Sequence, residues 1–95
     1  MSLEKLVTRY IDSATHALET IKMIEKPSYL DTSNVGRVLE SARAYLEDAK
    51  YFRDEGRFEV SLTSVAYCEG LLDALKALGA VKLEWPSKPE VKREK

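Results

Sequence analysis

The chain has 95 residues, 15 basic against 16 acidic side chains and a formal net charge of −1. That length holds one small domain in which most of the chain must join a single core. A field so near neutrality neither gathers nucleic acid nor repels it.

Ser2 stands before a segment in which Leu3, Leu6, Val7, Tyr10, Ile11, Ala14, Ala17, Leu18, Ile21 and Ile24 recur at three- and four-residue intervals. This spacing predicts an amphipathic helix over about 3–25. Its outer face carries Lys5, Arg9, Asp12, His16, Glu19 and Met23. Pro27 closes the helix, because proline lacks a donor and biases the preceding residue out of the helical region. In the link that follows, Tyr29 and Leu30 are expected to plug the end of the bundle, and Asp31, Thr32, Ser33 and Asn34 offer N-caps.

A second helix is predicted over about 34–55. Val35, Val38, Leu39, Ala42, Tyr45, Leu46, Ala49 and Phe52 form its apolar stripe, and Glu40, Arg43, Glu47, Lys50 and Asp54 its charged face. Gly56 supplies the positive-φ stop. The third helix, over about 58–78, has a broad apolar arc: Val60, Ser61, Ser64, Val65, Cys68, Leu71, Leu72, Leu75 and Leu78 cover nearly half its circumference, so it is expected to touch two neighbours. Gly79 repeats the stop. Gly70, inside this helix, costs ~1 kcal/mol relative to Ala and points to close packing or contact.

Residues 80–95 form a short C-terminal extension, apolar from Ala80 to Trp85 and then charged from Ser87 to Lys95, where a solvated tail is expected. Three helices with short connections predict an all-α fold, an antiparallel three-helix bundle over 1–79. No apolar run approaches the ~18 residues that span a bilayer, and the N-terminus reads directly into the first helix rather than a signal peptide, so a cytosolic protein is expected. The lone Cys68, on the inward arc, reads as a small hydrophobe. The absence of Gln, a single Asn and one charged residue in three lean toward a thermophilic source.

The run Ala49-Lys50-Tyr51-Phe52-Arg53-Asp54-Glu55-Gly56-Arg57-Phe58, continued by Ala66-Tyr67-Cys68-Glu69-Gly70-Leu71-Leu72-Asp73-Ala74-Leu75 and Leu78-Gly79, resembles a small archaeal family, domain of unknown function 357. The resemblance implies an all-helical protein without an assigned activity, in a family sometimes joined in one chain to a nucleotidyltransferase-like domain. No such domain is present in these 95 residues. The same hairpin also looks like tetratricopeptide and microtubule-interacting-and-transport modules. A tetratricopeptide array needs about three repeats for a continuous core, more than this chain supplies.

Candidate chemistry is sparse. Arg9 and His16 have a spacing similar to the Arg-x(4-6)-His of helical toxin-system RNases, but lie on the first helix rather than at a later dimer cleft; a charged surface is the simpler reading. Glu69 and Asp73 share a face and can bind a hard cation, yet no second carboxylate pair matches them. One His and one Cys leave no zinc site, and Gly-rich phosphate loops are absent. No cofactor or metal is therefore expected. Lys82, Lys88, Lys92, Arg93 and Lys95 are interrupted by Glu84, Glu90 and Glu94, which disfavours nucleic-acid binding.

Tyr51, Trp85, Leu83 and Val81 are the candidate interface residues; for Trp85 the alternative is that it folds back over its own bundle. The expected function is a non-enzymatic module that binds a protein partner or a second copy of itself. The alternative is an accessory or minimal enzyme acting on nucleotides or RNA through Arg9 and His16 or Glu69 and Asp73.

Overall fold

A computed structural model describes residues 2–24 and 30–86. Among them are three helices, α1 (Leu3–Thr20), α2 (Thr32–Asp54) and α3 (Phe58–Ala77), and two short strands, β1 (Lys22–Met23) and β2 (Val81–Lys82). The all-α bundle expected from the apolar spacing is the observed architecture, with a two-stranded antiparallel sheet added at one end. Pro27, Tyr29 and the tail from Ser87 to Lys95 lie outside the described residues.

The helix ends follow from local chemistry. Ser2 caps α1, its hydroxyl accepting from the Lys5 N–H at 3.1 Å. Asp31 caps α2, accepting from the Ser33 N–H at 2.9 Å and the Ser33 hydroxyl at 3.0 Å. Those bonds, the main-chain one foremost, hold the Asp31 carboxyl below its ordinary value. At the other end of α2, Gly56 takes φ +77°; its N–H donates to the Arg53 carbonyl and the Arg57 N–H to that of Phe52, both at 2.9 Å. This is a Schellman motif, and the Arg57 guanidinium lies 5.0 Å from the Phe52 ring centre where an apolar contact is usual. Gly79 ends α3 in the same way, with its N–H on Lys76 and the Ala80 N–H on Leu75.

The first helix is shorter than its apolar spacing predicts. It stops at Thr20 rather than near residue 25, and Ile21 turns extended, with φ −67° and ψ 142°. The reason is a competing set of main-chain partners: Lys22 pairs with Lys82 and Met23 with Val81, and the Ile24 N–H donates to the Ala80 carbonyl at 3.0 Å. Thr20 seals the helix end by donating its hydroxyl to the His16 carbonyl at 3.0 Å.

The broadest packing joins α2 to α3, and α1 lies against both. Val7, Ile11 and Leu18 from α1 meet Leu39 and Leu46 from α2 and Val65, Leu72 and Leu75 from α3 in one core, which Ala80, Val81 and Leu83 complete. Small residues line the α2–α3 seam, and the Ser61 hydroxyl reaches the Ala49 carbonyl at 2.6 Å. Such an approach belongs to the close end of the ~8–10 Å range of helix separations. The apolar stripe of α2 needs one correction: Tyr45 is exposed, because it flanks the seam instead of entering it. Val60 and Leu78 are likewise on the surface of α3.

Candidate interaction surface

A helix apolar around most of its circumference is normally covered on all sides. Here the core takes only one arc of α3: Ser61, Val65, Cys68, Leu72 and Leu75. The opposite arc carries Val60, Thr63, Tyr67, Gly70, Ala74 and Ala77, spaced alternately by three and four residues, and every one of them is exposed. These six positions carry no charge, although a third of the chain is charged; Glu59, in the first turn of α3, is the acidic residue on the same face. Its two large side chains, Tyr67 and Val60, are 53% and 36% exposed, and Leu78 at its end is 61% exposed. Tyr45 from α2 extends the face, meeting the Tyr67 ring edge-on with centroids 4.5 Å apart.

Gly70 lies at the middle of this stripe. A Cβ built there meets nothing within 4 Å, and no positive φ requires glycine at the position. Close packing among the described residues therefore does not explain the glycine, while the ~1 kcal/mol helix-propensity cost stands. Ala66 and Ala74 beside it keep the surface low and smooth.

The other candidates separate into two groups. Val81 and Leu83 are 2% and 5% exposed inside the core, so they hold this chain together and do not present an interface. Trp85 is half-buried and folds back on its own bundle, its indole N–H donating to an Asp73 carboxylate oxygen at 2.8 Å. Tyr51 is exposed and edge-on to Phe52 at 5.2 Å. It is six residues from Tyr45, about 120° away around α2, and so outside the face described above.

Of the four polar candidates, Arg9 alone lines either of two described surface concavities. Arg9 lines a shallow concavity at the start of α1 with Ser2, Glu4, Lys5 and Thr8. A groove between α1 and α2 is lined by Thr15, Leu18, Glu19, Arg43, Leu46, Glu47 and Lys50, and contains neither His16, Glu69 nor Asp73. His16 is exposed on α1, and Asp73 is engaged by Trp85. Among the described residues, no group of three or more His, Cys, Asp or Glu stands close enough to hold a metal ion. No helix there is long and apolar enough to cross a membrane.

The DUF357 family model, described as a protein of unknown function, matches residues 9–81. The chain belongs to this family. The DUF357 match takes in most of α1, both glycine stops and the whole stripe on α3, and ends within β2. Leu83 and Trp85 lie just beyond it. No curated protein and no solved structure matches the chain.

The exposed stripe was within reach of the sequence but hidden by a plausible pattern. Val60 and Leu78 fall at the rim of the apolar arc, and reading them inward makes the uncharged outer arc look like part of a broad core. Both arcs are uncharged at these positions; what sets the outer one apart is its run of small side chains, Gly70, Ala74 and Ala77, where the inner arc carries Leu72 and Leu75.

Proposed function

We propose that this DUF357 protein is a non-enzymatic, cytosolic interaction module whose docking surface is the outer face of α3. The observation that carries the reading is Gly70: an exposed, mid-helix glycine that no contact among the described residues requires, in a row of uncharged residues beside exposed Tyr67. Glycine at such a place removes the side chain that would hold an approaching backbone or ring away. Tyr67 and Tyr45 supply large, stiff amphipathic surface of the kind enriched at interfaces.

Replacing Ala74 by Glu tests the proposal, because it places a charge on the stripe where the folded chain leaves open solvent. Affinity capture with wild type and Ala74→Glu in parallel, together with measurement of self-association, is expected to show a binding event that wild type supports and the variant does not. Identical captured proteins and identical mass in solution for the two would exclude α3 as the docking face.

A further inference from the structure

Taking the α3 face as a docking surface, we propose that its occupant is a second copy of this chain, antiparallel along α3, with Tyr67 of each copy seated in the notch at Gly70 of the other. The register follows from the stripe itself. Val60 and Ala77, Thr63 and Ala74, and Tyr67 and Gly70 are each equidistant from a midpoint between Cys68 and Glu69. A two-fold axis at that midpoint brings the members of every pair together, twice per interface. In each pair a larger side chain meets a smaller one, and alternating steps of three and four are the seam that two helices share at a shallow crossing.

The charges agree with this arrangement. Glu59 and Asp73 flank the stripe, and in this register they come level with Leu78 and Ser64 of the other copy, so like charges do not oppose each other. A net charge of −1 per chain gives little repulsion between copies, and antiparallel helix dipoles attract. The 20 residues of α3 make a strip about 30 Å long. A helix about 10 Å across gives α3 alone a footprint on the order of 300 Å², which Tyr45 of α2 enlarges toward the ~800 Å² per partner of a stable interface.

Light scattering after size exclusion of the full chain, over a wide dilution series, is expected to give the mass of two chains for wild type and of one for Ala74→Glu, with the same helical circular dichroism. Paired Thr63→Cys and Ala74→Cys in one chain are expected to oxidise to a covalent dimer, while either cysteine alone is not, since each faces the other position across the axis. Monomeric wild type at every concentration overturns the second copy as occupant, as does a dimer that both survives Ala74→Glu and fails to cross-link. A monomer that nevertheless loses a captured protein on Ala74→Glu leaves the docking face standing with a different occupant; a monomer whose captured proteins are unchanged removes both.

Discussion

The Ser61 hydroxyl donates to the main-chain carbonyl of Ala49, 2.6 Å away across the α2–α3 seam, with both residues fully buried. It is the buried polar contact that fixes how closely the two helices approach. Ser61→Ala is expected to lower stability by about 1 kcal/mol, the usual net worth of such a bond. Ser13 makes the contrast. It is buried on α1 and its hydroxyl has no hydrogen-bond partner among the described residues, so Ser13→Ala is expected to raise stability by up to about 1 kcal/mol by removing that group and improving helix propensity. Urea unfolding of the two variants checks the opposite signs.

Two glycines are expected to respond in opposite directions to the same substitution. Gly56 holds φ +77° in the turn between α2 and α3, so Gly56→Ala should cost about 1–2 kcal/mol. Gly70 lies mid-helix with open space where a Cβ would stand, so Gly70→Ala should stabilise the single chain by about 1 kcal/mol. Thermal unfolding at low protein concentration separates them; a loss of stability at Gly70 would mean that some contact within the chain needs the glycine.

Leu83 and Tyr51 test which apolar side chains belong to the core. Leu83→Ala deletes a buried side chain and is expected to cost roughly 2–5 kcal/mol. Tyr51→Ala, at an exposed position, is expected to stay within about 0.5 kcal/mol of wild type. Denaturant midpoints with unchanged slopes would establish both effects.

Burial pushes the Cys68 thiol up to about 11 from 9.0, and the neighbouring Glu69 carboxylate adds to the rise. A folded-state value above the unfolded one means that the unfolded chain gives up its proton first as pH increases. The associated stability is therefore whole below about pH 9 and is lost as the pH climbs toward 11. Alkylation of Cys68 is expected to be slow in the folded protein near neutral pH and to become fast on adding urea. Fast labelling without denaturant would place the thiol at the surface.

Much of this fold is legible in the residue order, because the information is local. The apolar repeat gives three helices, Gly56 and Gly79 occupy the positive-φ stops that end two of them, and Asp31 is among the caps that the spacing offers. What escapes is non-local. Ile21 and Ile24 continue the phase of α1, so nothing nearby announces that Lys22 and Met23 leave the helix to pair with residues 81–82. The same pairing explains why Val81 and Leu83 read as a loose apolar extension and yet complete the core. The candidate face on α3 is half legible: glycine and tyrosine stand out in the chain, but only the packed helices show which arc of α3 is left bare.

The β1–β2 pair has a kinetic consequence. It joins segments some 60 residues apart in the chain, whereas α2 and α3 are joined by a turn of three. Loop closure therefore favours the hairpin as the early nucleus and delays the ladder until after the transition state. Damage near the ladder, as in Leu83→Ala, is then expected to appear in a stopped-flow chevron as faster unfolding with a nearly unchanged refolding limb. The clasp between the two distant segments governs how long the folded molecule lasts rather than how quickly it forms.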